Sequence, residues 1–267
     1  INNCLDHFER TYPKSERNKS QSYAAGMLAK LKKTAELNDD MANIGIMQGP
    51  AGCGKTKISL EWAAKTNAKK IIWICPRVHV CLGLLNDLSH KDYLSNSRIE
   101  IYTGEYKKIL HDGIAFDDTE DTAENNYFSG DIVITTIDQA VSAIITHHKV
   151  TALVDLMQAH VIFDEFHELV LMPAFNLLFA ELIEAKKLQQ QQANTLLVSA
   201  TPNYYFIKNF MKFDVDNIVT VKSFNKSKYQ INLLTYDELN DENPLVNKTY
   251  SGKIFLISNT AQDAQVG

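Results

Sequence analysis

The stretch GPAGCGKT, Gly49 to Thr56, constrains this chain more than any other. It follows the strand-like NIGIMQ and opens the helical KISLEWAAKT. GxxxxGK[ST] between a strand and a helix forms a cradle for phosphate. Its glycines let successive backbone N–H groups converge on anionic oxygens, and the helix N-terminus adds its positive end. Gly49, Gly52, Cys53 and Gly54 supply that backbone, Lys55 is expected to reach the β- and γ-phosphates, and the Thr56 hydroxyl to ligate Mg²⁺. A plain glycine-rich turn would not need the Lys–Thr pair. The motif reads as nucleotide binding and is silent on what the nucleotide drives.

A loop of this kind belongs to an alternating architecture, and the chain alternates throughout. KKIIWICP, RIEIYTG, GDIVITT, AHVIFDE and ANTLLVSAT are strand-like. VHVCLGLLNDLSH, IDQAVSAIITHH and a stretch from Pro173 to Gln192 read as helices, and Tyr23, Met27, Leu28, Leu31 and Leu37 have amphipathic helical spacing. This predicts an α/β fold, a parallel sheet covered by helices on both faces. At 267 residues there is room for one large domain, or one and part of a second. We expect a polar tail over 1–19, a first domain over 20–220, a β-rich connection over 221–247 and the truncated start of a second α/β domain over 248–267. The chain opens on Ile1 and reads as a segment of a longer protein. Lys, Asp, Glu or Asn interrupts every apolar run, so no membrane span is expected. The four cysteines, without CxxC or metal-type spacing, point to a reduced, cytoplasmic setting.

A net charge of −5 does not exclude a nucleic-acid partner. Residues 112–124 hold six acidic side chains and neither Lys nor Arg, and removing those six leaves the remainder at +1. That segment reads as a solvated or disordered insertion.

VIFDEFHELV, residues 161–170, supplies the second half of the argument. A buried strand that ends in Asp164 and Glu165 puts costly groups where they must be hydrated or paired. A phosphate loop needs an acid on a second strand end to hold Mg²⁺, and Asp164 fits. Glu165 is then the candidate general base that orients the attacking water on the γ-phosphate. His167, taken alone, reads as an ordinary structural histidine. SATP at Ser199–Pro202, read locally, is a helix N-cap with proline in the first turn.

DEFH together with SAT resembles motifs II and III of superfamily 2 DExH helicases and translocases. CPRVHV at Cys75–Val80 looks like motif Ia, YTG at Tyr102–Gly104 like Ib, TTIDQ at Thr135–Gln139 like Ic, and IFLISNTAQDAQ like motif IV. The resemblance implies RecA-like domains, ATP and Mg²⁺ as ligands, and an adenine-reading role for Gln21. It further implies that His167, Ser199 and Thr201 couple hydrolysis to nucleic acid, and that Arg77, Val78, Thr103, Gly104 and Thr136 contact single-stranded DNA through its phosphates. GDIVITTIDQ, CPRVHVCLGLL and DEFHE are most similar to the helicase–nuclease of type I CRISPR systems, over residues 20–265. Membership there implies an antiviral motor that unwinds target DNA for degradation, with a guide-RNA surveillance complex as partner. Its HD nuclease motifs are not found: His111-Asp112 reads as chance and His147-His148 as the end of a helix. Motifs V and VI and the arginine finger are expected beyond Gly267. A translocase of a restriction or repair system, and a non-catalytic ATP-dependent switch or scaffold, are the alternatives.

Overall fold

The apolar runs form strands because each is short, rich in Ile and Val, and buried on both sides. The structure, a computed structural model, describes residues 1, 4–5, 8, 15–35, 44–89, 94, 96–104, 106–111, 114–116, 128–145, 150–188 and 194–227. Contacts divide the chain into two units, Ile1–Asn225 and Lys226–Gly267. The strand–helix restart expected after Lys248 lies outside the described residues, as do most of the acidic segment and His147-His148.

Helix α1 (Glu16–Ala35) precedes β1 (Ile44–Gln48), α2 (Lys55–Lys65), β2 (Ile71–Cys75), α3 (Val78–Ser89) and β3 (Arg98–Tyr102). Then come β4 (Lys107–His111), β5 (Ile114–Phe116), β6 (Ile132–Thr136), α4 (Ile137–Ile145) and α5 (Val150–Gln158). The chain continues through β7 (His160–Phe163), α6 (Phe166–Leu169), α7 (Pro173–Leu188), β8 (Thr195–Ser199) and β9 (Val219–Thr220). The described strands make one sheet in the order β5-β4-β3-β6-β2-β7-β8-β1-β9.

Alternation along each strand feeds two cores. Trp73, Ile134, Ile162 and Val198 face a cluster completed by Leu28 of α1, Trp62 of α2 and Leu84 of α3. Ile74, Val133, Phe163 and Leu197 face another, completed by Ala140 of α4, Leu156 of α5 and Phe175 and Phe179 of α7. Both faces are therefore covered, and each fully buried Ile or Phe contributes about 1.5–3 kcal/mol. No described helix is long and apolar enough to cross a membrane.

Three expectations change. The sheet is mixed, because β3 pairs β4 and β4 pairs β5 antiparallel. A turn of a few residues joins β3 to β4, too short for the crossover that a parallel pair requires. Ile114–Phe116, inside the segment read as a solvated insertion, is that third hairpin strand. α1 starts at Glu16, and upstream of it Cys4 and Phe8 are buried against the α2 side of the core rather than lying in a polar tail. Their four-residue spacing puts them on one helical face.

Candidate functional site

Sheet topology brings the predicted residues to one edge. β1, β2, β3, β6, β7 and β8 run parallel, so the loops after their C-terminal ends share that edge, where α/β sheets bind ligands. Gly49–Thr56 runs from the loop after β1 into α2, Asp164–Glu165 follows β7, and Ser199–Thr201 spans the end of β8. Arg77 and Thr103–Gly104 follow β2 and β3, and Thr136 ends β6. One half of the edge thus gathers the expected nucleotide residues, and the other half the expected nucleic-acid residues.

The phosphate loop is tied down from several sides. Gly49 N–H donates to the Ser199 carbonyl at 3.0 Å and Cys53 N–H to that of Pro50 at 3.2 Å. Gly52 and Gly54 take φ of 75° and 93°, left-handed values that glycine tolerates. Gly54 caps α2, so the first amides of that helix lack intrahelical partners and can serve an anion. Gln21, 2% exposed, donates Nε2–H to the Cys53 carbonyl at 2.8 Å, while its Oε1 is buried without a partner. In this structure Gln21 is a strut beneath the loop. One turn earlier Arg17, which the sequence reading missed, donates to the Gly52 carbonyl at 2.7 Å and stacks over Phe224. The Cys53 thiol is buried, which raises its pKa.

Across from the loop, Asp164 hangs from β2 by its N–H, which donates to the Ile74 carbonyl at 2.9 Å. Its Oδ1 accepts from Glu165 N–H at 3.0 Å. Burial, then the neighbouring Glu165 charge, push the Asp164 carboxyl up to about 6. Glu165 caps α6 at φ 44° and ψ 46°, a left-handed conformation that costs a non-glycine residue about 1–3 kcal/mol. Lys55 Nζ is ion-paired with Glu165 Oε1, and both side chains are largely buried. Glu165 Oε2 accepts from Ala200 N–H at 3.3 Å and lies 3.4 Å from His167 Nδ1. His167 Nδ1 and the Ser199 hydroxyl share a hydrogen bond of 2.8 Å, and that hydroxyl accepts from Thr201 N–H at 3.0 Å. Both contacts of His167 fall on Nδ1, so Ser199 ties His167 to Thr201 by hydrogen bonds while Glu165 lies beside the same nitrogen. Asn203, not Ser199, caps the turn that follows, accepting from Phe206 N–H at 3.0 Å.

On the other half, Arg77 and Gly104 are exposed, Val78 is half-buried, and Thr103 and Thr136 are buried. The Thr103 hydroxyl is committed to its own turn, accepting from Tyr106 N–H at 3.0 Å. Arg77 Nη2 donates to Glu168 Oε2 at 2.9 Å. Tyr106, Lys107 and Lys108 are exposed at the same edge, since β4 runs antiparallel and begins there. The sequence reading passed over these three because YKKILH lacks clean alternation.

The site fits the ligands its motifs imply. Mg²⁺ is commonly held by one or two carboxylates, with phosphates and water completing its shell. Asp164 and Thr56 are donors of that kind, and no group of three or more His, Cys, Asp or Glu among the described residues forms an all-protein cage.

The family described as "Type III restriction enzyme, res subunit" matches residues 14–204. Among solved structures, the DUF1998 helicase MrfA matches with a TM-score of 0.51 and 15% identity, over 83% of this chain and 32% of that one. MrfA bound to DNA matches with a TM-score of 0.50 and 16% identity, over 79% of this chain and 30% of that one. At such identity the likeness is one of fold, the RecA-like α/β fold of helicase domains. The chain spans about a third of the length of these structures. No curated protein matches.

Proposed function

This chain belongs to the type III restriction enzyme res-subunit family, and from that premise we propose that it is the first motor domain of an ATP-hydrolysing, single-stranded-DNA translocase of the superfamily 2 kind. One observation carries the reading: a single sheet edge divides into a phosphate-binding half and a basic half, joined at β2 and β7. Over 248–267 the motif-IV-like sequence supports the opening of a second RecA-like domain.

Each residue then has a role. The backbone of Gly49–Gly54 and the N-terminus of α2 bind the phosphates. Lys55 leaves Glu165 for the β- and γ-phosphates, so nucleotide arrival frees Glu165 to orient water. Asp164 and Thr56 would hold Mg²⁺, which when bound offsets charge on the β- and γ-phosphate oxygens. Gln21 and Arg17 keep the loop in shape; adenine reading by Gln21 would require it to turn its unpartnered Oε1 outward. His167, Ser199 and Thr201 link Glu165 to the end of β8. Arg77, Gly104 and Val78, with Tyr106 and Lys107 beside them, meet the DNA backbone, and Thr103 and Thr136 shape the loops that present them.

The family description favours a restriction or repair motor, whereas the type I CRISPR role with its surveillance-complex partner is supported by the motif strings alone. The joint presence of Lys55, Asp164 and Glu165 in one connected site argues against a non-catalytic scaffold.

The test is binding of ATP·Mg²⁺ and of fluorescent dT20 by the purified chain across a salt series. Both should bind, and dT20 affinity should fall with log salt by about 0.7 per phosphate contacted. A chain that binds nucleotide but no dT20 at low salt would remove the translocase reading.

A further inference from the structure

Arg77 does not wait in solvent for a phosphate; it is paired with Glu168 at 2.9 Å. Glu168 belongs to α6, the four-residue helix that starts from Glu165. Its N–H donates to the Glu165 carbonyl at 2.9 Å, so the two acids are one turn apart on the same backbone. Glu165 pairs toward the phosphate loop and Glu168 toward the loop after β2. Strands β2 and β7 are neighbours, about 4.8 Å apart, so this contact bridges the two halves of the edge.

We propose that the Arg77–Glu168 pair is a latch: DNA phosphate displaces Glu168 from Arg77, and release of α6 carries that event to Glu165. The inference rests on the translocase reading above and adds a positioning residue, Glu168, which touches neither ligand. Arg77 is well exposed, at 62%, and Glu168 is half-buried, at 32%. An exposed pair of this kind contributes little to stability, so a competitor removes it easily. Phosphate is a strong competitor because the planar guanidinium forks onto it with two parallel hydrogen bonds. This four-residue helix is anchored in the core by Phe166 and Leu169, both fully buried, and the Glu168 tie fixes only its outer face. Losing that tie loosens the outer face, and the Glu168 N–H bond to the Glu165 carbonyl passes a small adjustment to the carboxylate where Lys55, Ala200 and His167 converge. Linkage makes the effect mutual: nucleotide must change DNA affinity by the factor by which DNA changes nucleotide affinity.

The experiment measures dT20 affinity for the wild-type chain, Glu168→Gln, Arg77→Ala and the double variant. Each is measured with and without a non-hydrolysable ATP analogue and Mg²⁺. Gln keeps the shape and helix tendency of Glu and removes only the charge. Glu168→Gln should tighten dT20 binding about twofold to fivefold when Arg77 is present, matching the worth of an exposed pair, and change nothing in the Arg77→Ala background. The analogue should alter dT20 affinity in wild type, and that ratio should move toward one in all three variants. An equal gain in both backgrounds would mean that Glu168 merely repels DNA, and would overturn the latch. So would no gain at all, or an analogue effect that survives Glu168→Gln. Failure of all four chains to bind dT20 would overturn the nucleic-acid reading of this face, and the latch with it.

Discussion

Glu165 serves two masters, since its carboxylate is split between Lys55 and the end of β8. Replacing it with Gln removes the proposed base and also frees Lys55, so Glu165→Gln should bind ATP at least as tightly as wild type. Its turnover, measured with the second domain present, should fall about 10²- to 10⁴-fold. Lys55→Ala should instead lose binding itself, because it deletes the cation facing the phosphates; equilibrium binding and turnover of the two variants separate the roles. Asp164 gives a pH dependence. Its carboxyl, raised from 3.8 to about 6 chiefly by burial, is neutral in mildly acidic solution. The metal-free fold therefore gains stability from this group at low pH, in full below about 3.8, and loses it as pH rises through about 6. Mg²⁺ needs the ionised form, so ATP·Mg²⁺ affinity should weaken progressively below pH 6. Melting curves for wild type and Asp164→Asn between pH 4 and 8 check the first statement: the stability difference should favour wild type toward pH 4 and shrink above pH 6. An affinity profile that stays flat from pH 5 to 8 would refute the second.

Elements explain why some of this was readable from sequence and some was not. The phosphate loop was legible because a strand, a loop and a helix announce it together, and β7 because an apolar run ends abruptly in two acids. The β3–β4–β5 hairpin was not: Lys107 and Lys108 are exposed while Ile109 and Leu110 are buried, which blurs the two-residue period. α5 was missed because no clear start signal precedes Val150, and α6 because four residues carry no periodicity. The Arg17, Gln21 and Glu168 contacts join residues far apart in the chain, which no local pattern reports. The contact of α1 with the phosphate loop yields a prediction of its own. A Cβ on Gly54 would sit 2.2 Å from Gln21 Nε2, on a backbone at φ 93°. Gly54→Ala should therefore lower nucleotide affinity at least tenfold. Adding Gln21→Ala should restore only part of it, since the clash goes and the left-handed strain of about 1–2 kcal/mol remains. Full recovery in the double variant, by calorimetry, would show that the backbone conformation is not what matters.

On the proposed reading, hydrolysis is a property of the whole molecule, because charge developing on the γ-phosphate must be met from more than one side. From within this unit Lys55 is the cation proposed to meet it. The arginines among the described residues are engaged elsewhere: Arg17 with the outer carbonyl of Gly52 and the ring of Phe224, Arg77 with Glu168, and Arg98 at the opposite end of β3. An arginine supplied at the phosphate contributes about 10³ to 10⁵ in rate in motors of this type. The 267-residue chain should thus bind ATP·Mg²⁺ weakly and turn it over slowly, with or without dT20. DNA would shift its affinity for nucleotide through Arg77 and Glu168, yet leave the rate low, since Glu165 and Lys55 alone lack the second cation on the far side of the phosphate. Supplying a second RecA-like domain in trans should raise turnover by at least two orders of magnitude, and only with its arginines intact. Steady-state phosphate release decides the matter: brisk, dT20-stimulated hydrolysis by this chain alone would mean that one of its own cations already reaches the transferring phosphate.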